Sequence, residues 1–404
     1  MNILFLSELF FPHGGGAELA TYEYAKLLNK NGVNVIVVTN RFSAESNFSE
    51  NHGVAIYRLP LLKGNSAVKF QMLLKFDVAF SGFFRKLFKW ADLVYIPRYW
   101  FSAIPIAKAY GKPVLVHLHD HVFVCPVSGT YNVSKGEICQ LRHCSQKCIY
   151  TYEQNMGHSL KSALASTLLN STLGTQLRRL IALSDGIICV SNSQKNTIAS
   201  KFPSLREKIS VIYNPMPEFD FTKIQGDDYG FLGGSNPIKG FESLRCAFAQ
   251  IKGDIYVKLH ATNFASPVPK SELMRHAKIV YYEKLTSAPL NELYTKVRAV
   301  IMPSLCSEPF PYVLCETILK GRLVITSNVG GAPEIAGSCK SAFFFKPGNC
   351  RELAEKIECV SSLSREIAND LAAQSRKSFL EKFDNDVTLN NFIAFCNKIV
   401  KAKT

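Results

Sequence analysis

Two glutamates, Glu308 and Glu316, flank the point at which a loop is predicted to become a helix. The apolar run Val297–Pro303 before them is typical of a buried strand, and apolar residues recur at helical spacing from Tyr312 onwards. Glu308 then lies on the loop at the carboxyl end of the strand, and Glu316 lies about one turn into the helix. Free N–H groups around Phe310–Val313 suit a phosphate, and the two carboxylates suit hydroxyl groups. A nucleotide sugar carries both kinds of group.

A glycine turn, Gly330–Glu334, follows the next predicted strand and has the sequence Gly-Gly-Ala-Pro-Glu. Glu308 and Glu316, with seven residues between them and followed by this turn, resemble the E-x7-E signature of the retaining glycosyltransferases of family 4. The resemblance implies that Glu308 contacts hydroxyl groups of the donor sugar and that Glu316 holds the ribose. The chain departs from the family at Pro311, where glycine is usual, because proline removes a donor N–H near the phosphate. Solvated carboxylates at a helix end are the alternative.

Two glycine-bearing loops, each between a predicted strand and a predicted helix, are candidates for contact with an anion. The first, Gly14–Glu18, lacks the spacing of a dinucleotide-binding loop, and the resemblance implies a position at the acceptor cleft and the donor phosphates. The second, Gly233–Phe241, resembles the family's phosphate loop with Lys239 beside the diphosphate, although Gly234 or Ser235 replaces the usual arginine. A tight turn and a solvated lysine are the alternatives. The predicted donor-binding residues are Gly15, Gly16, Gly234, Ser235, Lys239, Glu308, Phe310, Pro311, Tyr312, Val313 and Glu316.

Three histidines alternate at the end of the predicted strand Val114–Leu118, namely His117, His119 and His121. Alternation would put them on one face of a strand, but no carboxylate stands at the spacing of a zinc protease, which disfavours a zinc hydrolase. The resemblance implies that His119 reaches the donor sugar near its reacting centre, and that Asp120 orients this histidine or contacts the acceptor. A hydrogen-bonded core histidine is the alternative. The predicted catalytic residues are His119, Lys239 and Glu308, and the predicted acceptor-side residues are Glu18, Asp120 and Ser191.

Four of the twelve cysteines lie in one polar stretch directly after the histidines. Their spacing, C-x13-C-x4-C-x3-C, matches no standard zinc pattern, yet four cysteines in a loop-like segment are unusual in a cytosolic enzyme. A structural zinc site, a redox-sensitive pair and unligated thiols all stay open for these residues, Cys125, Cys139, Cys144 and Cys148. No other metal site is predicted. Most other cysteines lie in apolar segments and are predicted to be buried, reduced thiols, among them Cys189, Cys246, Cys315 and Cys396.

Length and charge narrow the class of protein. A chain of 404 residues is too long for one ordinary core and predicts two domains. Met1–Leu9 lacks the basic start of a signal peptide, and no apolar run reaches the roughly 18–20 residues that cross a bilayer. The formal net charge of +15 favours an anionic partner. Because no nucleic-acid-binding motif is present, we expect a phosphorylated substrate and an anionic membrane surface, with the protein cytoplasmic and peripheral at the inner face of the membrane.

The segment Lys69–Trp90 is the candidate for that membrane surface, because its phenylalanines are interspersed with basic residues. One interpretation is an amphipathic helix that lies on the membrane. The other is a surface helix that packs its aromatic face on the sheet before the predicted strand Asp92–Ile96.

Strands and helices alternate along the chain, as is typical of parallel α/β sheets. With the resemblance, this alternation predicts an α/β protein of the GT-B fold, with two Rossmann-like domains whose parallel sheets face each other across a cleft. The proline-containing stretch Tyr213–Pro217 marks the boundary. The first, acceptor-side domain comprises residues 1–214 and is joined by the C-terminal helix 387–404; the second, nucleotide-sugar-binding domain comprises residues 218–384. Asp384–Asp386 satisfies the D-x-D metal signature of another glycosyltransferase fold, but we interpret it as a helix cap.

The resemblance implies a retaining glycosyltransferase of the hexosyltransferase type that requires no metal or other cofactor. Its expected substrates are a UDP- or GDP-sugar donor and a surface-polysaccharide, lipopolysaccharide or lipid-linked glycan acceptor. Lys239, the loop amides and the helix N-terminus would then stabilise the departing diphosphate. Two alternatives stay open: a nucleotide-sugar 2-epimerase of the same fold, and a non-catalytic GT-B scaffold that binds glycan or membrane. Pro311 and the missing arginine favour the scaffold, whereas intact Lys239, Glu308 and Glu316 oppose it.

Overall fold

The structure is a computed structural model that describes residues 1–42, 45–64, 68–140, 144–264 and 270–402. Residues 141–143 of the cysteine-rich stretch and residues 403–404 of the predicted C-terminal helix lie outside this part. Within the described residues, no helix is both long and apolar enough to cross a membrane.

The first half of the chain folds around one large, mostly parallel sheet. Its strands are β1 (Asn2–Leu6), β2 (Asn34–Asn40), β3 (Phe48–Asn51), β4 (Val54–Leu59), β5 (Leu93–Ile96), β6 (Val114–Leu118), β9 (Gly186–Cys189) and β10 (Ile209–Val211), while β7 (Tyr131–Asn132) and β8 (Glu137–Ile138) form a separate hairpin. Across the described part of this sheet the order is β10-β9-β6-β5-β1-β2-β4-β3, and only β3 pairs antiparallel, with β4. The helices are α1 (Gly16–Lys30), α2 (Val68–Leu73), α3 (Gly82–Trp90), α4 (Ala103–Ala109), α5 (Gln146–Asn155), α6 (Leu160–Ala182) and α7 (Asn192–Lys201).

The second half repeats this architecture. Its strands are β11 (Asp228–Phe231), β12 (Val257–Ala261), β13 (Ser271–Met274), β14 (Ala277–Tyr281), β15 (Val297–Met302), β16 (Leu323–Ser327) and β17 (Ala342–Phe345), in the order β13-β14-β12-β11-β15-β16-β17. Among the described pairs only β13 with β14 is antiparallel. The helices are α8 (Phe241–Gln250), α9 (Ser287–Lys296), α10 (Tyr312–Leu319), α11 (Ala332–Ala336), α12 (Cys350–Ser362), α13 (Arg365–Lys382) and α14 (Asn385–Lys401).

Both sheets are covered on both faces, as expected for parallel strands. In β1, Leu4 and Leu6 enter one buried cluster, whereas Ile3 and Phe5 enter another on the opposite face. In β15, Ala299 and Ile301 enter one cluster, whereas Val300 between them enters another. The predicted α/β class with two parallel sheets is therefore confirmed. The segment between Val211 and Asp228 has no regular structure and connects the sheets, while the proposed limits 1–214 and 218–384 stay predictions.

The C-terminal helix α14 packs on the first sheet, not the second. Phe392 and Cys396 are buried in one cluster with Phe5 and Tyr24. Gly186, at the start of β9, makes room for the helix, because a Cβ at this position would lie 2.4 Å from Ile399 Cδ1. Asp384 caps the helix by accepting hydrogen bonds from the amides of its first turn, as predicted for the D-x-D stretch.

The prediction of one helix over Lys69–Trp90 is wrong. The segment forms α2, a 3-10 turn at Asp77–Phe80 and α3, and the backbone of Ser81 is extended between the last two. Asp77 and the Ser81–Gly82 pair are weak helix formers, which explains the interruption. Phe84 is buried in the core, so packing of the aromatic residues on the sheet is confirmed for α3, whereas Phe80 is 88% exposed.

Candidate active site

Lys239 and Glu308 meet beyond the carboxyl ends of β11 and β15. Lys239 ends a short 3-10 turn, and its Nζ lies 2.6 Å from Glu308 Oε2. The Ser304 hydroxyl donates a hydrogen bond to the other oxygen of the carboxylate. Both charged side chains stay partly exposed, at 30% and 22%, and they line a cavity with Gly233 and Val313. The structure therefore brings together the predicted lysine and the first predicted glutamate.

The pair holds both of its groups in the charged state. Burial alone would lower the pKa of Lys239, but the Glu308 carboxylate outweighs burial and raises this pKa above its ordinary value. Burial alone would raise the pKa of Glu308, but Lys239 and the Ser304 hydroxyl together lower it. At neutral pH the cavity thus presents an ammonium and a carboxylate side by side.

The Gly-Gly turn after β16 fixes the loop that carries Glu308. The Gly331 amide donates to the Glu308 carbonyl at 2.8 Å. A Cβ at Gly330, which has a φ of +64°, would lie 2.6 Å from that carbonyl oxygen, and one at Gly331 would lie 2.0 Å from the Pro309 carbonyl oxygen. Side chains at either position would push the loop away, so the glycines determine where Glu308 lies.

The first turn of α10 begins directly after this loop, with Pro311 as the N-cap residue. The Phe310 ring is buried in a cluster between the two halves of the chain, and the Tyr312 hydroxyl donates to the Pro215 carbonyl at 2.8 Å. Phe310 therefore shares a buried cluster with Val190 of the first half, and Tyr312 ties α10 to the connecting segment. The amides of Tyr312 and Val313 at this end have no partner within the helix, because they belong to its first turn.

Glu316 lies one turn beyond Val313 on α10, so both residues share a helix face. Its carboxylate is 3.9 Å from Lys320 Nζ and is only 19% exposed. Burial raises the pKa of Glu316 to about 7, although Lys320 opposes the shift. A contact with ribose hydroxyls stays a prediction for this residue.

His119 and Asp120 line a second cavity, of about 50 Å³, together with Arg98 and Ala17. β6 ends at Leu118, so the predicted placement of three histidines along one strand face is wrong. Burial, and then the nearby Arg98, lower the pKa of His119 to about 3, which keeps the imidazole neutral. In the described part of the chain both of its ring nitrogens are buried and neither has a hydrogen-bond partner.

Two hydrogen bonds hold Asp120 in place. Its carboxylate accepts hydrogen bonds from the Tyr99 hydroxyl and from the Val122 amide, the latter at 2.8 Å. Burial alone would raise the pKa of Asp120, but Lys69, Tyr99 and the Val122 amide together lower it. The carboxylate therefore stays ionised beside the neutral histidine.

Sequence reasoning missed Arg98, which organises the side predicted to bind the acceptor. Its guanidinium lies 3.1 Å from Glu8 and 2.6 Å from Glu18, both buried. Glu18 also accepts the Gly15 amide at 2.7 Å and so ties the first glycine loop to this network. A signal for Arg98 was present in the sequence, because this residue follows the end of β5. In parallel sheets, ligands bind beyond the carboxyl ends of the strands.

The two cavities adjoin across the contact between the halves of the chain. A Cβ at Gly16 would lie 2.9 Å from the Tyr312 ring, and Lys284 donates to the Gly14 carbonyl at 3.2 Å. Next to Glu308, the Ser307 amide donates to the Gly129 carbonyl at 3.2 Å. The first glycine loop therefore lies against the start of α10, where both were predicted to meet the donor.

The remaining predicted residues serve partly structural roles. The buried Ser191 hydroxyl caps α7 by accepting the Gln194 amide at 3.2 Å, so its contact with an acceptor stays a prediction. Glu334 of the second half reaches the same helix end, where its carboxylate accepts the Asn192 and Ser193 amides at 2.9 and 3.0 Å. In the phosphate loop, Gly234 has a φ of +70° and Ser235 is exposed.

Three of the four clustered cysteines converge. The Cys144 thiol is within hydrogen-bonding reach of Cys125 and Cys148, which lowers their pKa values to about 6 and about 7, and backbone amides support both shifts. Among residues whose placement is described, no group of three or more His, Cys, Asp or Glu side chains is arranged to hold a metal ion. A zinc site that includes Cys139 therefore stays a prediction. The expectation that Cys246 is buried is wrong, because this residue is exposed on α8.

Comparison with known proteins identifies relatives over both halves of the chain. Residues 14–217 match the model of Glycosyltransferase Family 4, and residues 226–362 match that of Glycosyl transferases group 1. An uncharacterized 42.6 kDa protein in the cps region of Klebsiella pneumoniae is 27% identical over 368 residues, which cover 86% of this chain and 90% of the relative.

Solved structures support the same architecture. Anabaena Alr3699/HepE in complex with UDP has a TM-score of 0.62 at 20% identity, with 98% of each chain covered. The lipopolysaccharide outer core galactosyltransferase WaaB, in its apo form, has a TM-score of 0.57 at 14% identity, with 100% of each chain covered. These likenesses confirm the predicted GT-B fold.

Proposed function

The chain belongs to glycosyltransferase family 4, and on that basis we propose that it moves a hexose-type sugar from a UDP- or GDP-sugar to a glycan acceptor. The acceptor classes that we consider are surface polysaccharide, lipopolysaccharide and lipid-linked glycan. One observation carries the proposal: the Lys239–Glu308 pair, 2.6 Å apart, opens into a cavity beside the free amides of α10. An ammonium and helix amides suit a diphosphate, and an ionised carboxylate suits sugar hydroxyls.

In the proposed reaction, an acceptor hydroxyl oxygen bonds to the anomeric carbon of the donor sugar. The bond from that carbon to the diphosphate oxygen breaks, and the hydroxyl proton passes to the departing diphosphate. Lys239 and the amides of Tyr312 and Val313 stabilise the charge that develops on this leaving group. We propose that the attack occurs on the face that the leaving group departs from, so that the anomeric configuration is retained.

His119 and Asp120, on the proposed acceptor side, also suit transfer of a sugar to an acceptor hydroxyl. His119 is neutral and both of its ring nitrogens lack partners in the described chain, so it suits a hydrogen bond to a sugar hydroxyl. The ionised Asp120 lies beside it and suits the acceptor hydroxyl. We further propose that transfer needs no metal, because Lys239 and the amides of α10 supply positive charge at the diphosphate. Asp384, from the D-x-D stretch, is already used as a helix cap.

The donor and acceptor classes rest on relatives and so remain proposals. Anabaena Alr3699/HepE was crystallised with UDP and with UDP-glucose, which favours a UDP-sugar as the first donor to test. The Klebsiella relative lies in a cps region, and WaaB acts on the lipopolysaccharide outer core, which favours surface glycans as acceptors.

Incubation with a panel of UDP- and GDP-sugars, with and without extracts of lipid-linked and polymeric glycans, tests the proposal. We expect nucleotide diphosphate release that depends on an acceptor, persists in excess EDTA and gives a product with the anomeric configuration of the donor. Acceptor-independent release of nucleotide would indicate the 2-epimerase instead. No release with any donor, accompanied by glycan binding, would indicate a scaffold.

A further inference from the structure

One segment of the first half of the chain lies against the donor side of the second half. It comprises residues 126–140 and 144–155 of the described chain, with the β7–β8 hairpin and α5, and we call it the bridging segment. Gly129 of this segment is hydrogen-bonded to the residue before Glu308, and Tyr152 is hydrogen-bonded at the start of the 3-10 turn that ends at Lys239. The bridging segment therefore contacts the surroundings of both members of the ion pair.

Asn236 of the phosphate loop is the residue that Tyr152 contacts. Its side-chain Nδ2 donates to the Tyr152 hydroxyl oxygen at 3.1 Å, across the contact between the two halves. Its Oδ1 accepts the Ile238 amide at 3.2 Å, and its main-chain carbonyl accepts the Lys239 amide at 2.9 Å. Because Asn236 is the N-cap residue of the 3-10 turn that Lys239 ends, the tyrosine hydroxyl helps to fix the start of that turn.

The two ends of the Asn236 side chain have different partners. The Ile238 amide donates to Oδ1, so the other end is the NH2 group, which can only donate. The Tyr152 hydroxyl oxygen is the acceptor that this group meets in the first half. Phenylalanine at position 152 would remove this acceptor, and the first half would then no longer fix the orientation of the Asn236 side chain.

Gly129 makes the second contact of the bridging segment, next to Glu308. Its carbonyl accepts the Ser307 amide at 3.2 Å. A Cβ at Gly129 would lie 2.7 Å from Ile238 Cδ1, so the absence of a side chain allows this close approach. The Ile238 carbonyl in turn accepts the Leu305 amide at 2.8 Å, which connects the phosphate loop to the loop that carries Glu308. The two contacts of the bridging segment thus act on one connected set of backbone groups.

α5 presents Tyr152 from a fixed position. The next residue, Glu153, is buried, and its carboxylate accepts the Ser166 hydroxyl of α6 at 2.6 Å and lies 2.5 Å from His158 Nδ1. α6 itself is buried in the first core through Leu177. A hydroxyl on a helix that is anchored in this way can hold a loop of the second half more precisely than a side chain on a loop could.

The position of Lys239 matters because this lysine is the only basic residue in the phosphate loop, residues 233–241. Gly234 or Ser235 stands where the family usually has an arginine, so no second cation of this loop can compensate for a displaced ammonium. Misplacement of a catalytic group by about 1 Å can lower a rate about 100-fold. Groups that hold the backbone of Lys239 in place therefore bear directly on binding of a diphosphate.

We propose that Tyr152 is a positioning residue for the donor: through Asn236 it holds the turn that ends at Lys239, so that the ammonium meets the diphosphate. The first half of the chain thereby takes part in donor binding with a side chain that does not touch the donor itself. The inference rests on the proposed transferase function and adds to it a residue outside the nucleotide-sugar-binding half.

Calorimetric titration of the full chain with UDP, and with GDP in parallel, tests the inference without an acceptor. Tyr152→Phe removes the hydroxyl alone. It should weaken binding of the nucleotide that the wild type prefers about three- to tenfold, which is the scale of one lost hydrogen bond. The matched control is Tyr150→Phe, which makes the same change two residues earlier on α5, on the other side of the helix, and should bind as the wild type does.

A double-mutant cycle separates positioning from a general effect on folding. Asn236→Ala should weaken nucleotide binding at least as much as Tyr152→Phe does. In the Asn236→Ala background, Tyr152→Phe should cause no further loss, because the hydrogen bond that it removes is already absent. Thermal melts without nucleotide should show that every variant is folded at the temperature of the titrations.

The possible failures are distinguishable. Equal nucleotide affinity of the wild type and Tyr152→Phe would overturn the inference and leave the proposed function standing. Additive losses in the double variant would also overturn it, because the tyrosine would then act by a route other than Asn236. A wild-type chain that binds neither UDP nor GDP would overturn the proposed function, and the inference with it.

Discussion

Lys239→Ala is the most direct test of the site. The substitution removes the ammonium that lies 2.6 Å from Glu308, and it leaves the amides of α10 as the remaining donors to a diphosphate. Lys239 is partly exposed and lies at the end of a short 3-10 turn outside the sheets, so we expect the variant to fold. The substitution should therefore lower the rate of sugar transfer more than it lowers the stability of the folded protein.

The expected fall in kcat/KM follows from the role of the Lys239 ammonium at the diphosphate. A fixed donor that stabilises charge in the transition state commonly contributes about 2.7–4 kcal/mol, and about 1.4 kcal/mol corresponds to a factor of ten. We therefore expect kcat/KM to fall by roughly 100- to 1,000-fold. Glu308 would also lose its counterion, so the pKa of its carboxylate should rise and its hold on the donor sugar should weaken as the pH falls.

Acceptor-dependent release of nucleotide diphosphate measures kcat/KM, and thermal melts with UDP measure donor binding. Lys296→Ala serves as the matched control, because Lys296 forms an exposed ion pair with Glu292 at 2.7 Å on α9, away from the cavity. The control should retain wild-type turnover. If Lys239→Ala keeps kcat/KM within about threefold of the wild type, a direct role of this lysine at the diphosphate is refuted.

Three further changes test other parts of the site. The pKa of Glu316 is about 7 in the folded state, against an ordinary value of 4.5, so the folded state loses stability as the pH rises from 4.5 to 7. Glu316→Gln removes this loss. The variant should therefore have a higher melting temperature than the wild type at pH 8 and the same melting temperature at pH 4. Glu334→Ala removes the acceptor from the first turn of α7 and should lower the free energy of unfolding by about 1–3 kcal/mol in urea titrations; an unchanged midpoint would contradict this. Gly16→Ala adds a Cβ 2.9 Å from the Tyr312 ring and should raise the KM for the donor several-fold, whereas Gly82→Ala, which has open space around it, should not.

The loop around Glu308 was predictable because its signals are local. The apolar run Val297–Pro303 predicted β15 to within one residue. The predicted helix also begins where the structure has it, at Tyr312. Gly321, directly after the C-cap residue of α10, has a φ of +75°, which is typical of a glycine that follows a helix C-terminus. Each of these features depends on residues within one turn or one strand, so a single sequence contains the information.

The acceptor side was only partly predictable, because its contacts join distant parts of the chain. Arg98 and Glu8 are 90 residues apart, and Glu334 reaches a helix end 142 residues before it. Spacing in the sequence carries no signal for such pairs. The break within Lys69–Trp90 was missed for a different reason: the apolar pattern fits one helix, whereas the interruption is signalled by the weak helix formers Asp77, Ser81 and Gly82.

The position of α14 has a consequence for synthesis of the protein. The first core is closed by a helix that the ribosome makes only after the described strands of both sheets, since Phe392 and Cys396 share a buried cluster with Phe5 and Tyr24. A nascent chain that already holds every strand of both sheets still exposes apolar surface on the first one. We expect premature termination before residue 385 to yield an aggregation-prone product, even though such a truncated polypeptide retains Lys239, Glu308 and Glu316.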